Sequence, residues 1–183
     1  MVSVPEPIKQ FEEKHPGLYG FLKDLLVSLT IVAVIALILY TYAGTWPPMV
    51  SVNGYSMYPN MDHGDLVLIQ GLARGEVKTY EASMSDGYTT YNGYGDVIVY
   101  RPYGDSSMPF VIHRAMRWVN ESEPMWPGGP LAASAGYVTL GDNNHGVYDQ
   151  ASNICYLEPV RKEWVIGIAR FKVPYLGYLR SII

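Results

Sequence analysis

The chain has 183 residues, the length of one folded domain with a short appendage. Its net charge of −4 excludes a chain-wide electrostatic attraction to nucleic acid, so we expect no nucleic-acid partner. The single cysteine, Cys155, excludes an internal disulfide and has no cysteine neighbour for a zinc site, so we interpret it as a small buried apolar side chain.

An apolar segment near the N-terminus is long enough to cross a membrane. Residues 25–42 read LLVSLTIVAVIALILYTY, and as a helix they would be roughly 27 Å long, close to the hydrocarbon thickness of roughly 30 Å. The apolar part of a secretory signal peptide is shorter, about 7–15 residues. We therefore predict a transmembrane helix over residues 25–45, with a cleaved signal or a buried helix as the alternatives.

Flanking charges predict the orientation of this helix. Lys9, Lys14 and Lys23 precede it, and the next basic residue after it is Arg74. Because basic residues accumulate on the cytoplasmic side, residues 1–24 are predicted to be cytoplasmic. Residues 46–183 would then form an extracytoplasmic domain at the cell membrane or the endoplasmic-reticulum membrane.

The rest of the chain favours a mainly β fold. Short runs of β-branched, aromatic and other apolar residues are each bounded by turn-forming residues, and no amphipathic helical pattern competes with them. The segments 76–95 and 120–136 are rich in Gly, Pro, Ser, Thr or Tyr and are predicted to be surface loops. The predicted strands cover residues 65–70, 96–101, 110–119, 137–140 and 163–171.

Ser56 is the candidate nucleophile, and it lies only fourteen residues after the apolar segment. Gly54 and Pro59 predict a tight turn around it, just before a strand, and Met57 and Met61 suit a serine that faces an apolar surface. A serine in such a sequence is most often a turn residue, and its hydroxyl is a poor nucleophile without a positioned base.

His113 is the candidate base. It lies within the strand sequence Phe-Val-Ile-His-Arg, an apolar context that can fix the ring, although a histidine there can also be a plain core residue. His15 falls on the predicted cytoplasmic side, and His63 and His145 lie in polar turns.

Asp142 and Asp149 are the candidate acids at the two ends of one polar loop. The loop reads Gly-Asp-Asn-Asn-His-Gly-Val-Tyr-Asp from residue 141 to residue 149. A carboxylate in such a loop often caps backbone N–H groups, so each aspartate alone is weak evidence for a site.

Taken together, these motifs resemble type I signal peptidases. Ser-Met-x-Pro at 56–59, Gly-Asp-Val-Ile-Val-Tyr-Arg-Pro at 95–102, His-Arg at 113–114 and Gly-Asp-Asn-Asn at 141–144 with the later Asp149 occur in the family's order after an anchor. The version is similar to the archaeal and endoplasmic-reticulum type, in which histidine replaces the lysine of most bacterial enzymes. The resemblance covers roughly residues 20 to 180.

The resemblance implies a signal-peptidase-like β-fold catalytic domain and a role for each matched residue. Ser56 would attack the scissile carbonyl, and His113 would accept its proton. Asp149 is the favoured partner of the histidine and Asp142 would brace the loop, although the interval between them is longer than usual and leaves that choice open. Gly54 stands where many bacterial relatives have serine, so backbone N–H groups would bind the oxyanion.

The implied substrates are signal peptides of secretory precursors, cut after small residues in an Ala-x-Ala-like pattern through an acyl-enzyme, without a metal or cofactor. The implied partners are these precursors and the lipid bilayer. One alternative is a repressor-type self-cleaving protease with a Ser–Lys pair, for which Lys78 and Lys162 lie in the wrong regions. The other is an inactive, membrane-anchored β-domain that only binds precursors.

Overall fold

The computed structural model describes residues 5–181, with side chains described for residues 5–178. The chain divides into two compact units, one up to Thr41 and one from Tyr42 onward.

The N-terminal unit is helical. It contains α1 (Glu6–Lys14) and most of α2 (Pro16–Ala43). The 28 residues of α2 span about 42 Å, and the helix is long and apolar enough to cross a membrane. It begins nine residues before the predicted start at residue 25 and ends two residues before the predicted end at residue 45. Gly44 follows it with a φ of 63°, the left-handed conformation that commonly ends a helix.

The second unit is built on an antiparallel β-sheet. Six strands are hydrogen-bonded in the order β1-β2-β8-β5-β6-β7, and β3 pairs with β4 in a separate hairpin. The strands are β1 (Met49–Ser51), β2 (Leu66–Gln70), β3 (Thr89–Thr90), β4 (Gly93–Tyr94), β5 (Val97–Tyr100), β6 (Val111–Val119), β7 (Gly136–Leu140) and β8 (Val165–Val173). One short helix, α3 (Tyr80–Ser83), and 3-10 helices at Leu72–Arg74, Pro102–Gly104, Asp149–Ala151, Lys162–Trp164 and Leu176–Ser181 connect them.

The sheet register places three polar side chains on one face of the sheet. Strand β5 lies between β8 and β6, and all four of its residues are buried. Ile98 is opposite His113, so Tyr100, two residues further along β5, projects to the same face as the histidine. Thr139 on β7 is opposite Ala115, two residues beyond His113 on β6, and therefore projects to that face as well.

The mainly β prediction is only partly right, because the chain as a whole is mixed α/β. The five predicted strands coincide with β2, β5, β6, β7 and β8, apart from a few residues at their ends. The prediction missed β1, and it assigned loop to residues 76–95, which contain α3, β3 and β4. Helix α3 begins where the Thr79 hydroxyl accepts a hydrogen bond from the Ala82 N–H at 3.3 Å, the usual N-cap contact.

Candidate functional site

Ser56 lies on a turn between β1 and β2 that is held from two sides. The backbone N–H of Asn143 donates to the Ser56 carbonyl at 2.7 Å, and the Asn143 side chain donates to the Tyr55 carbonyl at 3.1 Å. On the other side, the Gly54 N–H donates to Nδ1 of His63 at 3.3 Å. Gly54 has a φ of 134°, which L side chains rarely adopt, so this position favours glycine.

His113 links the serine to Asp149. Its Nε2 lies 2.8 Å from Oγ of Ser56, and its Nδ1 lies 2.7 Å from Oδ2 of Asp149. An ionised carboxylate only accepts hydrogen bonds, so Nδ1 carries the proton and Nε2 of the neutral ring accepts from the serine hydroxyl. This tautomer is the one that allows an imidazole to take a proton from a serine.

Burial separates the three groups by their access to solvent. His113 and Asp149 are buried, with 2 % and 0 % exposure, whereas Ser56 is half-buried. The hydroxyl is therefore the member of the three that an incoming molecule can reach.

A cleft of 410 Å³ opens beside Ser56 and His113. Most of its wall is apolar, and the lining residues come mainly from the segment before the serine and from the start of β6. Its apolar lining includes Val52, Met57, Pro109, Phe110, Val111, Ile112 and Ile154. A second cleft of 540 Å³ shares Ser51, Val52, Asn53, Pro109 and Phe110 with the first, so both clefts adjoin the same two chain segments.

Asp149 accepts three short hydrogen bonds on one oxygen. Besides His113, the hydroxyl of Tyr100 donates to Oδ2 at 2.7 Å, and that of Thr139 donates at 2.6 Å. Burial alone raises the pKa of a carboxyl, but the hydrogen bonds and the positive charge available from His113, with the bonds from Thr139 and Tyr100, hold the pKa of Asp149 below its ordinary value. The carboxylate therefore stays ionised despite its burial.

Asp142 lies in a different environment and does not contact the histidine. Arg114 binds it through two hydrogen bonds, from Nε to Oδ1 at 2.8 Å and from Nη2 to Oδ2 at 2.7 Å. The Asn60 side chain donates to the same Oδ2 at 2.8 Å. Since Asn60 belongs to the serine-bearing loop, Asp142 connects that loop to strand β6.

Arg114 also organises the hairpin beside the site. Its Nη1 donates to the carbonyls of Thr90, Gly93, Tyr94 and Gly95, and its Nη2 donates to that of Tyr91. The guanidinium therefore fixes the β3–β4 hairpin against β6.

Of the remaining candidates that the structure describes, none is hydrogen-bonded to the Ser56 hydroxyl, which contacts His113. His145 is exposed in the polar loop, and His15 lies between α1 and α2. Cys155 is fully buried, and burial raises the pKa of its thiol to about 11, so the thiol stays protonated near neutral pH. Among residues 5–181, no group of three or more His, Cys, Asp or Glu side chains is arranged to hold a metal ion.

Sequence reasoning missed Tyr100 and Thr139 as members of this site. Both end or interrupt apolar strand sequences, where a hydroxyl is easily taken for the edge of the strand. The available signal was that a buried hydroxyl needs a hydrogen-bond partner, and that an ionisable group on a neighbouring strand can provide one.

Comparison of the chain with protein-family models gives no match, and comparison with curated proteins gives none either.

Proposed function

We propose that this chain is a membrane-anchored serine endopeptidase of the type I signal peptidase kind, which removes signal peptides from secretory precursors. The observation that carries the proposal is the continuous contact from Ser56 through His113 to Asp149, at 2.8 Å and 2.7 Å. A serine hydroxyl, a correctly protonated imidazole and a buried carboxylate are the three groups that nucleophilic acyl transfer requires.

The proposed reaction has two halves. Ser56 Oγ attacks the scissile carbonyl while Nε2 of His113 accepts its proton, and Asp149 stabilises the imidazolium. The imidazolium then gives that proton to the leaving amine as the peptide bond breaks, which leaves an acyl-enzyme on Ser56. In the second half, water attacks the ester, His113 takes the water proton, and the proton returns to Ser56 as the acid product leaves.

The oxyanion of each tetrahedral intermediate would be bound by backbone donors near the serine. Within residues 5–181, the N–H groups of Ser56 and Met57 donate to no protein acceptor. Gly54 offers no side-chain donor, so the chemistry of the turn favours a backbone oxyanion site. The apolar lining of the cleft beside Ser56 suits uncharged side chains next to the scissile bond.

The proposed location follows from the N-terminal helix. Helix α2 would anchor the chain once in a cell membrane or endoplasmic-reticulum membrane, with the lysine-containing N-terminus in the cytoplasm and the catalytic domain outside. A precursor held in the same bilayer by its own signal peptide would then present its cleavage site on the side where the serine lies.

The two alternative functions have less support from the site. A Ser–Lys enzyme would need a lysine at the serine, but Lys78 pairs with Asp86, Lys162 is exposed, and His113 contacts the hydroxyl. A domain that only binds precursors has no need for a buried carboxylate behind a histidine.

The test is cleavage of a secretory precursor with an Ala-x-Ala-like site by the purified full-length chain, with the cut located by N-terminal sequencing of the product. Ser56→Ala and His113→Ala should each abolish processing. Ser106→Ala, at an exposed serine, and His15→Ala, in the N-terminal unit, are the matched controls and should process normally. Binding of the precursor without cleavage by the unaltered chain would favour the binding domain, and processing by Ser56→Ala would refute the proposal.

A further inference from the structure

Two buried hydroxyls surround the carboxylate behind the histidine, and neither reaches the cleft. Tyr100 on β5 is fully buried, and so is Thr139 on β7. Among the described residues, the Tyr100 hydroxyl contacts only Asp149 and Thr139, and the Thr139 hydroxyl contacts only Asp149, Tyr100 and Gln150. They are absent from the lining of the cleft, so a peptide bound there would not touch them.

Each hydroxyl has a single proton, and the distances assign both protons to Asp149. The Tyr100 and Thr139 oxygens lie 2.7 Å and 2.6 Å from Oδ2 but 3.3 Å from each other. Gln150 Nε2 donates to Thr139 Oγ1 at 3.4 Å, and the Thr139 N–H donates to Gln150 Oε1 at 3.0 Å. The threonine oxygen therefore already has a donor, and its own proton is free for the carboxylate.

All the hydrogen bonds that this carboxylate accepts from side chains of the described residues go to one oxygen, Oδ2. Oδ1 of Asp149 is buried and has no hydrogen-bond partner among the residues that the structure describes. Because the carboxylate is fully buried, its charge depends on its three donors on Oδ2, of which two are neutral hydroxyls. The loss of either hydroxyl removes a large part of this compensation.

We propose that Tyr100 and Thr139 are positioning residues that keep Asp149 ionised and directed at His113, and so set how strongly the histidine binds a proton. The inference rests on the proposed roles of Ser56 and His113. The two hydroxyls take up part of the negative charge on Oδ2 and thereby weaken its hold on the imidazolium. The histidine can then release its proton to the leaving group and act as a base at a lower pH than it could beside an uncompensated carboxylate.

The direction of the change in the pH midpoint depends on which protonation state of the His113–Asp149 pair is destabilised when a hydroxyl is removed. A poorly compensated carboxylate is least stable when the imidazole beside it is neutral, and it is partly rescued when the imidazole is positively charged. Removal of a hydroxyl therefore favours the protonated pair, and the pH midpoint of the pair moves upward. In the part of the chain that the structure describes, Tyr100 and the Cys155 thiol are the other titratable groups that interact with this carboxylate, and Glu158 interacts in turn with Cys155. Arg114, next to His113 on β6, is bound to Asp142.

The experiment compares hydroxyl deletions with variants that keep the hydroxyl or remove one elsewhere. Tyr100→Phe and Thr139→Val each delete one donor with little change of shape, whereas Thr139→Ser keeps the hydroxyl and deletes only the methyl group. Tyr137→Phe removes a hydroxyl from a second tyrosine of the same core cluster that does not contact Asp149. The first readout is the ring-carbon NMR titration of His113 in the full-length chain in detergent micelles, which needs no substrate.

We expect the midpoint of this titration to move upward by about 1 pH unit in Tyr100→Phe and in Thr139→Val, and to stay unchanged in Thr139→Ser and Tyr137→Phe. In precursor cleavage, kcat should fall about tenfold below the midpoint and recover above it, with KM unchanged, because neither hydroxyl meets the substrate. A merely structural role would lower activity equally at every pH.

The experiment distinguishes a failure of the proposed function from a failure of the proposed role of the two hydroxyls. If the unaltered chain processes no precursor, the proposed function fails, while the NMR titration still tests the hydroxyl pair. If the midpoint is unchanged in both Tyr100→Phe and Thr139→Val, or if Tyr137→Phe moves it as far, the role of the two hydroxyls is refuted even where cleavage is observed.

Discussion

The two aspartates of the polar loop serve adjacent residues of β6 in different ways. Asp149 accepts hydrogen bonds from His113 and from two neutral hydroxyls, whereas Asp142 accepts them from the Arg114 guanidinium and from the Asn60 amide. The charge of a carboxylate that is paired with a permanent cation is already compensated, so such a carboxylate mainly has a structural role. A carboxylate whose partner is a histidine can stabilise the positive charge that forms when the histidine accepts a proton. The type of partner therefore distinguishes the two acids more clearly than their positions in the sequence.

The largest difference should appear when each aspartate is changed to asparagine. In Asp149→Asn, the amide can donate to Nδ1 of His113 and stabilise the tautomer that cannot accept the serine proton, so kcat for precursor cleavage should fall about 10³–10⁴-fold. In Asp142→Asn, the amide oxygen still accepts from Arg114, and we expect a loss of less than about tenfold, because one hydrogen bond remains. Initial rates of precursor cleavage for both variants measure the contrast.

An equal loss in the two variants would remove the distinction between the aspartates. Alanine variants at Ser56 and His113, measured in the same assay, define the floor of activity against which Asp149→Asn is judged. If Asp149→Asn retained nearly full activity while Asp142→Asn reached that floor, the assignment of the histidine's partner would be reversed.

The second effect should appear in stability, and it concerns the ion pair of Asp142 with Arg114. In Asp142→Ala, the Arg114 guanidinium, whose side chain is only 3 % exposed, loses its carboxylate. Removing one partner of a buried ion pair costs about 3–5 kcal/mol of unfolding free energy, and the partial exposure of Asp142 reduces this to about 2–3 kcal/mol. Denaturant unfolding of the full-length chain in micelles, followed by tryptophan fluorescence, gives the value.

The control for this measurement is Asp105→Ala. The Asp105 side chain is exposed and, within the described residues, accepts hydrogen bonds only from Ser107, so its removal should leave the unfolding free energy nearly unchanged. If Asp142→Ala is as stable as Asp105→Ala, the ion pair does not hold the β3–β4 hairpin and the serine-bearing loop in place.

Much of the sheet could be predicted from sequence, because its strands are buried and bounded by turn residues. Strands β5 and β6 follow directly from apolar runs after Gly95 and around Ile112. The short strand β1 and the hairpin of β3 and β4 could not, since two or three residues give no periodicity, and β1 in addition pairs with β2 across the whole serine-bearing loop. The hairpin in particular is held by Arg114, about twenty residues away, through contacts that no local pattern reveals.

The residues of the site likewise differ in whether they could be predicted from local sequence. Ser56 and His113 could be selected from their local context together with the resemblance, but the choice between Asp142 and Asp149 could not. That choice depends on register: Thr139 lies opposite Ala115, which brings the loop after β7 back to the histidine face of β6. Pairing across strands is a tertiary property, so the sequence left both acids open and left Tyr100 and Thr139 unnoticed.

The smallest expected difference is in how stability depends on pH. Because the pKa of Asp149 in the folded chain lies below its value in the unfolded chain, about 3.9, its contribution to stability is fully present above that value. The contribution is lost as the pH falls through the folded-state pKa, where the carboxylate must be protonated in both states. Asp149→Asn has no such group, so the gap in unfolding free energy between the unaltered chain and this variant should narrow as the pH falls below about 3.9. A gap that stays constant over that range would mean that the hydroxyls and the histidine do not stabilise the ionised form, and the contrast with Asp142 would then rest on geometry alone.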